Sequence, residues 1–306
     1  MEKRQIGRSD LYVSKMGLGC MSLGKDESHA RAIIDEAIEL GINYFDTADL
    51  YDFGLNEEFV GRAIQNRRQD LIIATKAGNR WEEGKDGWTW DPSKSHIQNA
   101  VKDSLQRLGT DYIDLYQLHG GTIEDNINET IEAFEELKKE GLIREYGISS
   151  IRPNVIKQYL EKSSIASIMM QYSLVDRRPE EWFPLIEEHG VSVIARGPLA
   201  KGILSDRELE QAGSSIKDKG YMSYSFAELA ELRAQLKKAV PRHSYTEAAL
   251  QYCLASPAVA AVIPGASKVS QLKQNAAAVN AEPLINEEVE LLRKISKADQ
   301  YEQHRE

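Results

Sequence analysis

Residues 30–48 read ARAIIDEAIELGINYFDTA. Ala30, Ile33, Ile34, Ala37 and Ile38 recur three and four apart, the spacing of one helix face, and Gly41 stands where a left-handed glycine stops a helix. The short apolar run 42–45 that follows is of β type, and a carboxylate, Asp46, comes directly after it. A helix feeding a strand in this way is half of a parallel β/α repeat.

The same unit recurs along the chain. Apolar β-type runs lie at 17–20, 42–45, 71–74, 112–118, 145–148, 167–170, 191–195 and 260–263. Helical stripes separate them. Ile97, Val101, Leu105 and Leu108 open after Asp91-Pro92-Ser93 and stop at Gly109, and Ile127, Ile131, Phe134 and Leu137 stop at Gly141. Eight strands alternating with helices predict an α/β fold, and the number suits a closed (β/α)8 TIM barrel better than an open doubly wound sheet. Two short runs at 4–6 and 11–13, joined through 7–10, stand outside the repeat as an N-terminal β-hairpin cap on the lower end of the barrel. Extra helices are expected near 226–239 and 245–255. No Pro/Ser-rich linker divides residues 1–306, which predicts a single domain.

With 306 residues, 42% of them hydrophobic and 28% charged, the chain has the makings of a globular core. A net charge of −10 argues against a dedicated nucleic-acid or anionic-membrane partner, while leaving room for a locally basic anion site. The charged opening MEKRQIGRSD lacks an apolar signal core, and no run approaches the roughly 18 apolar residues of a membrane span, so the cytoplasm is the expected compartment. Cys20 and Cys253, with six scattered histidines, offer neither a disulfide framework nor zinc-ligand spacing, and no metal site is expected. Gly17-Leu18-Gly19 begins like a Rossmann fingerprint, but Ser22 holds the place of its third glycine.

Ligands of a parallel barrel gather at the carboxyl ends of its strands. The residues just past the apolar runs are chemically capable ones: Asp46, Lys76, His119, Ser149 and Gln171. Two insertions break the spacing. Segment 77–91 sets Trp81, Trp88 and Trp90 among Gly84 and Gly87, an aromatic density that reads as pocket wall. Segment 213–225 is rich in Gly, Ser and Lys and reads equally as a mobile lid, with Tyr221 and Tyr224 contributing, or as plain surface.

FDTADLYDFGLNE (45–57), IIATK (72–76) and DLYQLH (114–119) are followed in order by GISS, MMQYSLVDR, GPLAKGIL and IPGASKVSQLKQN. From residue 17 to about 281 this series resembles the aldo-keto reductase family. The resemblance implies an eight-stranded barrel, a nicotinamide cofactor bound without a Rossmann fold, and reversible reduction of aldehydes or ketones to alcohols. Carried over position by position, it implies Asp46, Tyr51, Lys76 and His119 as the catalytic four. The chemistry is coherent. Hydride delivery to a carbonyl carbon leaves alkoxide character on oxygen, and Tyr51 would supply the proton. A neighbouring ammonium makes a phenol a better acid, which Lys76 would do, and a buried carboxylate, Asp46, would keep that lysine charged. His119 would orient the carbonyl and stabilise developing charge. Singly, each has an ordinary structural explanation as cap, packing ring, solvated lysine or core histidine; together and in order they form a constellation.

The resemblance further implies Ser149 and Gln171 as holders of the nicotinamide carboxamide, with Ser150 where the family usually has Asn. Arg196 stands where an aromatic residue often stacks on the nicotinamide; a guanidinium can stack there or reach a phosphate or a substrate carboxylate. Gly197, Pro198, Leu199 and Gly202 match the loop over the pyrophosphate, where small residues expose backbone N–H groups. Gly265 and Lys268 open a helix whose N-terminus attracts anions, Gln271 stands where the family has a cationic option, and Gln274 and Asn275 match adenine contacts. NADP(H) is the preferred cofactor on this reading, and the glutamine at 271 leaves NAD(H) open. The expected partner is a small carbonyl compound, with no nucleic acid and no membrane. Two other classes stay in view: a cofactor-binding regulatory module with little turnover, like the potassium-channel beta subunits of the same superfamily, and a Schiff-base lyase using the Lys76 amine.

Overall fold

A computed structural model of the chain describes residues 1–82 and 84–305. Its strands are β1 (Lys3–Gln5), β2 (Tyr12–Ser14), β3 (Leu18–Gly19), β4 (Tyr44–Asp46), β5 (Ile72–Ala77), β6 (Asn79–Arg80), β7 (Thr89–Trp90), β8 (Ile113–Leu118), β9 (Ile143–Ser149), β10 (Ser167–Gln171), β11 (Ser192–Arg196) and β12 (Val259–Ile263). Eight of them pair in parallel in the order β3-β4-β5-β8-β9-β10-β11-β12. The two ends meet. Met16 bridges Val262 in parallel, Gly17 N–H donates to Val262 O at 2.9 Å, and Val262 N–H donates to Lys15 O at 2.9 Å. The sheet therefore curls into the TIM-type barrel that the strand count predicts.

Helices α1 (Glu27–Glu39), α2 (Leu55–Ile64), α3 (Lys94–Leu108), α4 (Ile127–Lys139), α5 (Pro153–Lys162) and α6 (Phe183–Glu188) each occupy one crossover. The crossover into β12 holds α7 (Ser214–Lys219), α8 (Phe226–Ala239) and α9 (Tyr245–Leu254), while α10 (Val269–Val279) and α11 (Asn286–Ile295) follow the last strand. Their limits follow local chemistry. The side chains of Asp26 and Ser93 accept the N–H of His29 and His96 at the starts of α1 and α3, and Ser225 and Ser244 form capping boxes with Glu228 and Glu247. Gly41, Gly109 and Gly141 take φ of +78°, +61° and +78°, the left-handed stops their positions require.

The N-terminal hairpin is β1 paired with β2, displaced one residue outward from the expected runs 4–6 and 11–13. Ile6 and Leu11 fall in its tight turn, where Ile6 N–H reaches Leu11 O at 2.9 Å and Ser9 N–H reaches Ile6 O at 3.0 Å. Their side chains, with Val13, enter the apolar cluster inside the barrel and plug its lower end. Residues 213–225 carry structure of their own: α7, whose Ile216 is buried, and then a turn closed by backbone pairing of Tyr221 with Tyr224. Among the described residues no helix is long and apolar enough to cross a membrane.

Candidate active site

Period-2 alternation decides what crowns the barrel. Tyr44, Ala74, Leu115, Met169 and Ile194 belong to the interior cluster, while their neighbours Phe45, Ile73, Tyr116, Met170 and Ala195 pack outward against the helices. The next inward positions, two residues on, are Asp46, Lys76, Gln117, Gln171 and Arg196. Polar side chains from five strands thus share the carboxyl end of the barrel, above an apolar plug.

Lys76 is fully buried, and its Nζ donates to Asp46 Oδ1 at 2.6 Å and to Thr47 O at 2.7 Å. Tyr51 Oη lies 3.5 Å from the same ammonium, which also sits 5.0 Å from the phenol ring centroid. Gln117 Nε2 donates to Asp46 Oδ2 at 3.2 Å, so both carboxylate oxygens are engaged. Burial opposes charge on both members of the ion pair. At Lys76 the attraction of Asp46 and Tyr51 outweighs it and holds the ammonium above the ordinary lysine range; at Asp46 burial pushes the carboxyl up, with Lys76 and Gln117 pulling back. Tyr51 reaches this place through an unusual backbone. Asp52, Phe53 and Gly54 have φ of +48°, +52° and +88°, and they turn the chain from the tip of β4 into α2. A Cβ on Gly54 would stand 2.7 Å from Arg107 Cδ. Arg107 Nε in turn donates to the fully buried Glu57 at 2.6 Å, fixing α2 against α3.

His119 follows β8, its N–H held by Ala77 O at 2.8 Å, and its ring meets Tyr51 edge-on with centroids 5.8 Å apart. Burial, reinforced by the positive charges of Lys76 and Arg196, pushes its imidazolium down to about 3. The ring is therefore neutral near pH 7. Its buried Nδ1 has no hydrogen-bond partner among the described residues. All four residues of the expected catalytic set are thus brought together from the ends of three strands, β4, β5 and β8.

Most of the remaining expected residues line two cavities. One, of about 320 Å³, is lined by His119, Ser149, Ser150 and Arg196 together with Trp88 and Trp90. Gln171 is held beside it: Nε2 donates to Asp176 Oδ2 at 2.8 Å and Oε1 accepts from Arg196 Nη1 at 3.1 Å. The other, of about 560 Å³, is lined by Gly197, Leu199, Gly202, Gly265, Gln271, Gln274 and Asn275. Pro198 is buried and Lys268 is exposed at the start of α10, neither of them lining this groove. Gln271 Oε1 accepts from the N–H and Oγ of Ser267, so it ties off the first turn of α10. Gly197, Ala200, Lys201 and Gly202 all have positive φ, strained for the two non-glycine residues, and Lys201 and Arg207 bring positive charge to the same groove. An extended, anionic dinucleotide fits this pair of cavities: exposed small-residue backbone and two cations at one end, an unpartnered neutral histidine at the other.

Trp81 departs from the expected pocket wall. It packs on Phe53 at 5.6 Å and lies 5.7 Å from the Arg107 guanidinium, lining a separate polar cavity. The reason is the β6–β7 hairpin, which carries Trp90 to the side facing His119 and leaves Trp81, just past β6, on the side facing α2 and α3. Of the two lid tyrosines, Tyr221 Oη comes within 3.5 Å of Gln171 Nε2, whereas Tyr224 is buried and accepts the Lys297 N–H. Gln117, Lys201, Arg207 and Arg152, which also lines the smaller cavity, were not legible as site residues. Only Gln117 carried a signal, its place two residues past inward-facing Leu115.

The Aldo/keto reductase family model matches residues 15–297. The chain belongs to the aldo/keto reductase family. Among curated members of that family's wider kin, the uncharacterized oxidoreductase YqkF of Bacillus subtilis (strain 168) is 65% identical over 305 residues, covering 100% of both chains. The NADH-specific methylglyoxal reductase of Escherichia coli (strain K12) is 30% identical over 324 residues, 97% of this chain and 99% of that one. The solved holo form of aldo-keto reductase AKR11C1 from Bacillus halodurans superimposes with a TM-score of 0.96 at 63% identity, covering 100% of both chains. This aldo/keto reductase is thus an oxidoreductase by family, built on the barrel described above.

Proposed function

We propose that this aldo/keto reductase reduces aldehydes or ketones to alcohols with NADP(H) as preferred cofactor, Tyr51 acting as general acid. The observation that carries the reading is Tyr51 Oη placed 3.5 Å from a buried, ion-paired ammonium and edge-on to a neutral His119. When bound, a nicotinamide cofactor supplies or accepts the hydride. The chain's own residues handle the proton and the charge. Tyr51 gives its proton to the carbonyl oxygen, and Lys76 stabilises the negative charge left on the phenol oxygen. Asp46 and Thr47 O keep the lysine oriented and charged. His119 contributes a neutral ring nitrogen that orients the carbonyl without competing as an acid. Ser149 and Gln171 would hold the carboxamide, with Arg196 against the nicotinamide end. The backbone of 197–202 with Lys201 and Arg207 would hold the pyrophosphate, and Lys268, Gln271, Gln274 and Asn275 the adenosine end.

Lys201 and Arg207 in the groove, with Lys268 at the start of α10, outnumber Asp206 in the same lining and favour the more highly charged NADP(H). The Escherichia coli relative is named for NADH, so the preference is tested directly, by titrating both reduced cofactors against the protein's fluorescence. Tighter binding of NADPH, weakened selectively by Lys268→Ala, supports the reading; equal binding sinks the preference. Tyr51→Phe is expected to lower carbonyl reduction by about 10²-fold or more while leaving cofactor binding unchanged. A fully active Tyr51→Phe enzyme would refute the mechanism. The full burial and ion pairing of Lys76 favour its electrostatic role over Schiff-base chemistry, and borohydride trapping of a substrate adduct on Lys76 would reverse that choice.

A further inference from the structure

The smaller cavity is electrostatically one-sided. Among the described residues no Asp or Glu lines it, although the chain carries a net charge of −10. Two guanidiniums do line it, Arg152 and Arg196, and among the described residues neither has a carboxylate within ion-pairing distance. Each uses one donor nitrogen in the protein: Arg152 Nη1 on Gly121 O at 2.7 Å and Arg196 Nη1 on Gln171 Oε1 at 3.1 Å. Among the described residues, most of their N–H groups therefore meet no acceptor. Arg152 does not line the groove formed by 197–202 and 265–275, so its charge is not committed to a dinucleotide phosphate there. The indoles of Trp88 and Trp90 line the same cavity, the latter oriented by Nε1 donating to Asp125 at 2.9 Å.

We propose that the cavity selects carbonyl substrates bearing an anionic group, a carboxylate above all, on a small apolar or aromatic body, with Arg152 as the substrate-binding residue that pairs with the anion. The inference rests on the reductase reading above and adds the substrate class to it. A guanidinium presents a planar fork of donors that matches carboxylate geometry, and the charge of Arg196 lining the same cavity adds to the attraction for an anion. The indoles take up the apolar body. Shared with the nicotinamide end of the cofactor, about 320 Å³ leaves room for a compound of about benzaldehyde size.

The test compares 4-carboxybenzaldehyde with its methyl ester, which keeps the aldehyde and ring and removes the charge. The expected result is a kcat/KM higher for the acid by about tenfold or more, eroded by added salt. Arg152→Met should raise KM for the acid by about tenfold with kcat little changed, leave the ester unaffected, and be partly rescued by Arg152→Lys. Equal kcat/KM for acid and ester in the unmodified enzyme, or equal losses for both in Arg152→Met, would overturn the proposal. If neither compound is reduced, the reductase reading fails instead, and the anion site is then decided by binding alone. Saturable quenching of tryptophan fluorescence by benzoate that Arg152→Met abolishes sustains it; no quenching, or quenching indifferent to the substitution, refutes it.

Discussion

Lys76 Nζ has three protons and three oxygens within reach, Asp46 Oδ1, Thr47 O and Tyr51 Oη, so its charge is fully directed. The residue types were readable from the chain; that all three acceptors converge on one nitrogen was not, because Asp46 and Thr47 come from one strand tip, Lys76 from the next and Tyr51 from a turn with left-handed backbone. His119 yields a prediction at this scale. In the unfolded chain a histidine takes up a proton near its ordinary 6.5, whereas folded His119 refuses it until about 3. Between those values the unfolded state binds more protons, so the stabilisation is complete above 6.5 and is lost as pH falls toward 3. On going from neutral pH to about pH 5, urea unfolding should show the parent protein losing about 2 kcal/mol more stability than His119→Gln, which has nothing to titrate. Equal losses would mean that the folded ring titrates normally.

At the scale of elements, starts and stops were legible because they are local. Caps such as Asp26 and Ser93 bond to N–H groups three residues away, and glycine at 41, 109 and 141 supplies a conformation that side chains resist. The Trp-rich insertion was legible as aromatic wall but not as the β6–β7 hairpin that sends Trp90 and Trp81 to different cavities. That division depends on pairing Asn79 with Trp90 and Arg80 with Thr89 across a loop. Gly78 is the hinge of this element, at φ +120°, with a Cβ position 2.8 Å from Trp90 Cζ3 and 3.2 Å from Leu118 Cδ1. Gly78→Ala should destabilise by about 1–3 kcal/mol and shift tryptophan emission as Trp90 is displaced. Gly84→Ala, also at positive φ but with nothing within 4 Å of its Cβ position, should cost only backbone strain of about 1 kcal/mol. Thermal denaturation of the pair distinguishes contact from strain; equal effects would remove the role given to Trp90 packing.

Across the whole molecule, the barrel is closed above by polar side chains and below by the hairpin, whose Ile6, Leu11 and Val13 are fully buried among Ile72, Leu115 and Ile194. Arg4 ties the hairpin down by donating from Nη1 to Leu254 O and Val259 O. Ile6→Ala should therefore cost about 2–5 kcal/mol in urea unfolding, as a core truncation does. A loss under 1 kcal/mol would show the plug to be loosely held. The alternation of strands and helices, the caps, the strand-end reactive residues and the family were determined by the sequence itself, since periodicity and short-range hydrogen bonding act within a few residues. Closure between Met16 and Val262, the meeting of Tyr51 with Lys76, the separation of Trp81 from Trp90 and a guanidinium, Arg152, with no carboxylate partner among the described residues were decided only by the tertiary structure. Each depends on which strand tips become neighbours when the sheet curls shut, and on which charges that curling leaves without partners.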